Sequence, residues 1–233
     1  MMPTNETVLT VYAHPLSSYC WKVLVALYET GVPFRQERVD GFPKAHSTLS
    51  GLWPIGKMPL LHDAARDQAV PESTIIIDYL QCYYPSAVAL IPDEAAAQIE
   101  TRQWDRFFDL YVHTPMQKQV IDRLRPADGK DPVGVAEAKA VLDTAYAMLE
   151  KRMATRDWAA GDAFTLADCA AMPALFYAQA VHPFSSSHPA LAAYLNRLTD
   201  RPSARRTIRE AQPYFHFFPF HDALDARFTS TDF

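Results

Sequence analysis

Residues 8–39 read VLTVYAHPLSSYCWKVLVALYETGVPFRQERV, and their pattern predicts a strand, a helix and a second strand. The β-branched and aromatic run Val8–Tyr12 is typical of a short strand. Apolar residues recur at helical spacing over Cys20–Tyr28, and Gly31 follows at the position where a glycine commonly ends a helix. Pro33–Val39 alternates polar and apolar residues, as a strand does. This order has the length of a parallel crossover unit.

Two further strands and a helix are predicted on the C-terminal side of this unit. Gly41–Trp53 lacks apolar periodicity and is expected to be irregular. Leu60 and Leu61 begin a strand directly after Pro59, and Gln68–Val70 is expected to pair with it across a polar turn. A helix then opens at Pro71-Glu-Ser73. The residues predicted for its apolar face are Ile75, Ile76, Tyr79, Leu80 and Tyr83. We therefore predict a small α/β domain over residues 1–84.

The pattern of the remaining chain, residues 92–233, predicts helices and no strands. Phe164-Thr-Leu-Ala-Asp168 opens one of them, with Thr165 and Asp168 spaced as in a capping box. The other predicted helices are Ala95–Arg125, bent near Pro115, then Val133–Met153, Pro189–Leu198 and Ser203–Ala211.

The composition excludes several classes of protein. The chain has 233 residues, 49% of them hydrophobic, and a formal charge of −5, which excludes wholesale disorder. Nucleic-acid binding is not expected, because no face dense in Lys and Arg offsets the acidic balance. Three cysteines are too few for a disulfide framework, and the eight histidines show no metal-ligand spacing, so no metal is expected. The longest mostly apolar stretch, Ala170–Val181, is shorter than the ~20 residues of a membrane span. No signal peptide is visible in Met1–Thr7, so a cytoplasmic protein is expected.

Ser17 lies where the first strand gives way to the first helix. Backbone N–H groups and the helix dipole at such a junction stabilise an anion, although a serine there can also be an ordinary N-cap. No Gly-x-Ser-x-Gly elbow surrounds Ser17, so triad hydrolysis is not predicted. The spacing Ser17-x-x-Cys20 invites comparison with Cys-x-x-Cys oxidoreductases. Cys20, however, falls on the apolar stripe of its helix, which favours a buried, inert thiol.

Two other pairs of residues fit a peptide-like ligand. Pro59 is tolerated at the first residue of a strand, and a cis Pro59 would expose the backbone of Met58 for pairing with such a ligand. Glu72 and Ser73 stand at a helix start, where they either cap the helix or bind an amino acid head group. In the second case Glu72 pairs with the ammonium, while Ser73 and the helix N-terminus take the carboxylate.

Taken in order, these markers resemble the cytosolic glutathione transferases over essentially the whole chain. They are Tyr12…Ser17-Ser-Tyr-Cys-Trp-Lys-Val23, Gly56-Lys-Met-Pro59, Glu72-Ser-Thr-Ile-Ile-Ile-Asp-Tyr-Leu80 and Phe164-Thr-Leu-Ala-Asp168. The resemblance implies a thioredoxin-like α/β domain followed by an all-α helical bundle, and a homodimer.

The resemblance also implies a use for the marked residues, with glutathione as co-substrate. Ser17 falls on the catalytic serine of the theta-, zeta-, phi- and tau-like classes, whose hydroxyl would donate to the glutathione sulfur. The backbone of Met58, beside a cis Pro59, would pair with the cysteinyl part of glutathione, and Glu72 and Ser73 would hold its γ-glutamyl end. The candidates for the glycine carboxylate are Lys44, His46 and Lys57.

A hydrophobic electrophile is expected to bind in a pocket between the two domains. The residues predicted to line it are Tyr12, Pro15, Leu16, Phe107, Phe108 and Tyr111. The aromatic segment Pro213–Phe220 is either a tail packed on the helical core or a lid over this pocket.

Two alternatives to glutathione conjugation remain open at this point. One is glutathione-dependent thiol–disulfide exchange through Cys20. The other is a non-catalytic binding module of the same fold. The sequence departs from the family pattern at Trp53-Pro54, where many members have Asn-Pro, and at Ser17-Ser-Tyr-Cys20, where the zeta-type isomerases have Ser-Ser-Cys.

Overall fold

The protein is described by a computed structural model that covers residues 8–40, 47–230 and 233. The chain divides into two compact units, Met1–Ala89 and Leu90–Phe233.

The first unit is a four-stranded mixed sheet with helices. Strand β1 lies at the centre, parallel to β2 and antiparallel to β3, and β4 pairs antiparallel with β3 in the order β2-β1-β3-β4. In chain order the elements are β1 Leu9–Ala13, α1 Ser18–Thr30, β2 Arg35–Arg38, α2 Ser47–Leu52, β3 Leu60–Asp63, β4 Gln68–Pro71 and α3 Ser73–Tyr83.

Helix α1 carries the main core of this unit. Its face with Cys20, Val23 and Leu27 is buried in a cluster that also contains residues of β1, β3 and α3. The helix ends as predicted at Gly31, which has a φ of 68° and whose N–H donates to the Leu27 carbonyl. Such a left-handed conformation suits glycine, because a Cβ would strain it.

Two predictions for this unit are wrong. Part of the stretch predicted to be irregular forms α2, where Leu49 is buried against Tyr12 and Leu60. A single buried leucine in six residues makes no periodic pattern, so the sequence carried no signal for this helix. The predicted apolar face of α3 is rotated, because Ile75 and Tyr83 are each 52% exposed whereas Ile76, Ile77 and Leu80 are buried.

The second unit is helical throughout its described residues. Its helices are α4 Ala95–Phe107, α5 Thr114–Leu124, α6 Pro132–Met153, α7 Leu166–Val181, α8 Pro189–Thr199, α9 Pro202–Ala211 and α10 Ala226–Thr229, with 3₁₀ turns at Ala127–Gly129, Gln212–Phe217 and His221–Ala223. The fold class predicted from the sequence, a thioredoxin-like α/β domain followed by an all-α domain, is confirmed. None of the helices in the described ranges has both the length and the apolar character that crossing a bilayer requires.

The long helix predicted over Ala95–Arg125 is divided by a π-helical segment, Phe108–His113. At its end the Thr114 N–H and hydroxyl both reach back to the Asp109 carbonyl. Pro115 follows and has no N–H to continue the ordinary ladder. The irregularity expected near Pro115 is therefore present, but it takes the form of a widened turn on the N-terminal side of the proline.

The capping box at the start of α7 is confirmed. Asp168 is fully buried and accepts hydrogen bonds from the Thr165 N–H at 2.8 Å and the Ala159 N–H at 2.9 Å. The Thr165 and Tyr194 hydroxyls add two more, at 3.1 and 2.5 Å. Burial raises the pKa of Asp168, and these four donors act against that rise. One carboxylate thus joins α7, α8 and the loop before them.

The aromatic tail packs on the helical core. Phe215 and Phe218 are buried, and their rings lie 6.0 and 5.0 Å from those of Phe176 and Tyr177 on α7. Phe228 of α10 also reaches Phe176, at 4.9 Å. Of the two interpretations of this segment, these contacts favour the packed tail.

In the first unit, a second buried carboxylate joins the β3–β4 turn to the end of α3. Asp63 is fully buried and accepts from the Tyr79 and Tyr84 hydroxyls at 2.7 and 2.6 Å, from Arg66 at 3.1 Å and from the Ala65 N–H at 3.0 Å. Burial acts to raise the pKa of Asp63, but the donors outweigh it and hold the pKa below its usual value.

Asp63→Asn is expected to lower the free energy of unfolding by about 2 kcal/mol at neutral pH, because the amide accepts fewer of these hydrogen bonds. Since the folded-state pKa is lowered, the carboxylate contributes fully above the unfolded-chain pKa of about 3.9, and this contribution is lost as pH falls through the folded-state pKa. Urea unfolding across this range should show the difference between wild type and variant shrinking on acidification. A difference that is independent of pH would contradict the assignment.

Candidate functional site

Three segments of the first unit meet at one edge of the sheet, meaning the side where β1 and β4 end and β3 begins. In the register of β1, β3 and β4, Tyr12 pairs with Leu60 and Leu60 pairs with Pro71. The residues that follow Tyr12, precede Leu60 and follow Pro71 therefore lie side by side. These are the β1–α1 loop with Ser17, the Met58–Pro59 pair and the Glu72–Ser73 pair. Helices α1 and α3 both begin at this edge, so the positive ends of two helix dipoles lie there.

Ser17 is the N-cap of α1. Its backbone is extended and its Oγ lies 3.4 Å from the Cys20 N–H, which donates to it. The hydroxyl is half-buried and carries one proton of its own, and because a hydroxyl rotates it can direct that proton to a ligand. Ser17 can thus accept from the helix and donate to an anion at the same time.

Cys20 lies one turn farther along α1, away from solvent. Its side chain has no exposed surface, and burial raises the pKa of the thiol to about 11 against the effect of a hydrogen bond from Ser17. The thiol is therefore protonated at neutral pH. Since exchange chemistry requires an accessible thiolate, these observations argue against Cys20 as a redox nucleophile.

Pro59 directly precedes β3, and the Met58–Pro59 peptide bond is cis. Pro59 is buried and Met58 is half-buried. The backbone of Met58 lies just before the start of β3, beside the β1–α1 loop.

Glu72 occupies an unusual backbone conformation at the start of α3. Its φ of 71° and ψ of 118° lie outside the regions that non-glycine residues favour, at a cost of about 1–3 kcal/mol. The side chain is exposed and does not cap the helix. Ser73, the first residue of α3, is buried. A residue with a strained backbone, whose carboxylate stands at a helix start without capping the helix, is typical of a ligand-binding position.

One of the three candidates for a glycine carboxylate lies among the described residues. Lys57 is exposed next to Met58 and lies at the same edge. Lys44 and His46 lie outside the described residues.

The six residues predicted to line the electrophile pocket are divided between the two units. In the first unit Tyr12 and Pro15 are buried and Leu16 is half-buried. In the second, Phe107 is 9% exposed, Phe108 is fully buried and Tyr111 is 51% exposed, with 5.4 Å between the rings of Phe107 and Tyr111. A pocket shared by these residues stays a prediction.

Sequence reasoning missed two residues that fix the loop carrying Ser17. The Trp21 indole N–H donates to the Pro15 carbonyl at 2.5 Å, and the Leu16 N–H donates to the His14 ring at 3.1 Å. Trp21 lies among the buried apolar residues of α1, so its pattern signals packing alone. The position of His14 beside Pro15 in a predicted loop was the one available hint.

The fold defines a class of protein in which a thioredoxin-like domain precedes an all-helical domain. The family model described as the glutathione S-transferase N-terminal domain matches residues 11–87, and the model for the C-terminal domain of that family matches residues 107–202.

The individual proteins to which the chain is similar are glutathione S-transferases as well. Glutathione S-transferase 3 of Zea mays is 30% identical over 210 residues, 86% of this chain and 93% of its own. Glutathione S-transferase GstB of Escherichia coli is 26% identical over 204 residues, 86% of this chain and 97% of its own. A glutathione S-transferase of Methylobacterium radiotolerans, solved in complex with glutathione sulfonate, superimposes with a TM-score of 0.76 at 26% identity, covering 85% of this chain and 93% of its own. The chain belongs to the glutathione S-transferase family.

Proposed function

We propose that the protein is a serine-type glutathione transferase, in which Ser17 stabilises the glutathione thiolate for attack on a hydrophobic electrophile. The observation that carries the proposal is the strand register, which sets Ser17, Met58 and Glu72–Ser73 along one edge beside two helix N-termini.

The role proposed for Ser17 is stabilisation of an anion and not nucleophilic attack. A free thiol has a pKa of about 8.5, so it is mostly protonated at neutral pH. A hydrogen bond from the Ser17 hydroxyl favours the charged form, as does the N-terminus of α1, and both lower the pKa of the bound thiol. The thiol proton leaves to solvent. The thiolate then forms a C–S bond to the electrophile while the leaving group departs with its electron pair.

The rest of glutathione follows the edge of the sheet. Met58 would pair through its backbone with the cysteinyl residue. The exposed Glu72 carboxylate would bind the γ-glutamyl ammonium, and Ser73 with the N-terminus of α3 would take the γ-glutamyl carboxylate. Lys57, Lys44 and His46 stay the candidates for the glycine end.

The finer parts of the proposal rest on the family resemblance. They are a theta- or zeta-like subclass, a homodimer in the cytoplasm, and a pocket for a hydrophobic electrophile formed by Tyr12, Pro15, Leu16, Phe107, Phe108 and Tyr111. Exchange through Cys20 is disfavoured by the buried, protonated thiol. A non-catalytic module is disfavoured by the joint presence of Ser17, Glu72 and Ser73 at one edge.

Glu72→Gln and Ser73→Ala are each expected to weaken glutathione binding about tenfold, because each removes one partner of a charged ligand group. Isothermal titration with glutathione and with cysteinylglycine, which lacks the γ-glutamyl residue, tests this placement. Affinity for cysteinylglycine should be the same in both variants as in wild type.

Glu137→Gln, at an exposed position of α6, is the matched control and should bind both compounds as wild type does. Equal losses for glutathione and cysteinylglycine would show that Glu72 and Ser73 do not bind the γ-glutamyl end. Absence of glutathione binding in wild type would replace the proposal with the non-catalytic module.

A further inference from the structure

Three of the hydrogen bonds that hold the loop carrying Ser17 fix its backbone at residues 14–17, and His14 takes part in two of them. The His14 carbonyl accepts from the Ser17 N–H at 3.0 Å. Its Nδ1 accepts from the Leu16 N–H at 3.1 Å. The third bond, from the Trp21 indole to the Pro15 carbonyl, ties the loop to α1. Each residue from His14 to Ser17 is therefore fixed through its backbone.

The bond to Leu16 requires one protonation state of His14. A backbone N–H can only donate, so Nδ1 must present its lone pair and the neutral ring carries its proton on Nε2. In imidazolium both nitrogens carry protons, and Nδ1–H would oppose the Leu16 N–H. Protonation must break this hydrogen bond.

The surroundings of His14 keep the ring neutral. The side chain is half-buried, and this burial lowers its pKa from the ordinary value. Among the described residues, the charged groups that act on it lie at the end of β2, where Asp40 raises the pKa and Arg38 lowers it. Arg38 and Asp40 form an ion pair at 2.8 Å. Because their charges are opposite, their effects on the pKa of His14 oppose one another.

We propose that neutral His14 is a positioning residue for Ser17: it holds the Leu16 N–H, keeps the loop in the form that aims the Ser17 hydroxyl at the glutathione sulfur, and releases the loop when it is protonated. This inference rests on the proposed function of Ser17. A displacement of a catalytic group by about 1 Å can lower a rate by up to 100-fold, so a loosened loop has a measurable effect. His14 itself does not touch the sulfur.

The variants His14→Asn and His14→Phe separate the acceptor from the bulk of the ring. The asparagine Oδ1 stands close to the position of Nδ1 and accepts without titrating, whereas phenylalanine keeps the ring and removes the acceptor. The thiolate absorbance of bound glutathione, followed against pH, reports the acidity of the thiol, and conjugation of an activated aryl halide gives kcat and KM.

We expect His14→Phe to lower kcat about tenfold with a smaller change in KM, and to raise the pKa of the bound thiol. His14→Asn should have the wild-type kcat and the wild-type pKa of the bound thiol at neutral pH. In acid the wild type should lose thiolate more steeply than a single protonation allows, because His14 and the thiol titrate together. The asparagine variant should follow a single-proton curve.

A double variant distinguishes positioning from general stability. With Ser17→Ala already present, His14→Phe should leave the pKa of the bound thiol unchanged, since its effect passes through the Ser17 hydroxyl. An equal shift of the thiol pKa with and without Ser17→Ala would overturn the inference. So would a wild-type kcat and thiol pKa in His14→Phe. A loss of thiolate in acid that is as steep in His14→Asn as in wild type would also overturn it. If His14→Phe does not fold, the acid curve of His14→Asn still decides the matter. If Ser17→Ala alone leaves the bound thiol unchanged, the proposed function of Ser17 fails, and not only the role of His14.

Discussion

Asp168→Ala is expected to lower the free energy of unfolding by about 3–5 kcal/mol. The carboxylate is fully buried and accepts two backbone N–H groups and two hydroxyls. Alanine leaves the donors of Ala159, Thr165 and Tyr194 without a partner in a site that water does not reach. Each such group retains its desolvation cost without the compensating bond.

Urea unfolding followed by far-UV circular dichroism and tryptophan fluorescence measures this loss. Trp158 is a local probe, because its ring lies 5.4 Å from that of Phe164, the residue before the capping box. Asp162→Ala, at an exposed position of the same loop, is the matched control and should change stability by less than about 0.5 kcal/mol. A loss below 1 kcal/mol for Asp168→Ala, by the same scale, would show that the network is not a main support of the second unit.

Ser17→Ala is expected to lower kcat/KM for conjugation about 100-fold at neutral pH, comparable to the loss of one donor from an anion-stabilising site. The variant removes the hydroxyl that is proposed to donate to the sulfur. The N-terminus of α1 remains, so glutathione should still bind while its thiol becomes less acidic. The deficit should shrink as pH rises toward the pKa of a free thiol, about 8.5, because the thiolate then forms without assistance.

Two companion variants make this result specific. Ser17→Gly removes the hydroxyl but keeps most of the N-cap stability, and it should lose activity as Ser17→Ala does, which separates loss of the donor from loss of the N-cap. Cys20→Ala should conjugate at the wild-type rate, since that thiol is buried and protonated. The measurements are thiolate absorbance of bound glutathione and conjugation of 1-chloro-2,4-dinitrobenzene. Unchanged thiol acidity in Ser17→Ala would refute the role of Ser17, and activity lost only in Cys20→Ala would restore the exchange mechanism.

Features determined by near neighbours in the chain were predictable from the sequence. Gly31 ends α1 because the left-handed position suits glycine, and Thr165 and Asp168 form a capping box because residues three apart meet at a helix start. Features determined by one long-range contact were not predictable. Helix α2 depends on the burial of Leu49, and the rotated face of α3 depends on which of its isoleucines meets α1.

The sequence alone therefore determined the order of most of the elements, the two-part architecture and the residue types offered to a ligand. Only the tertiary structure decided which of them meet. Strand register places Ser17, Met58 and Glu72 together, although 55 residues separate the first from the last in the chain. The pairing of β1 with β3 joins strands that are distant in sequence, so the pattern within either strand does not show which residues meet. The hydrogen bond from Trp21 to Pro15 and the one from Leu16 to the ring of His14 join near neighbours in the chain, yet they became visible only in the folded protein, because they depend on the conformation of the loop and not on a pattern of residue types.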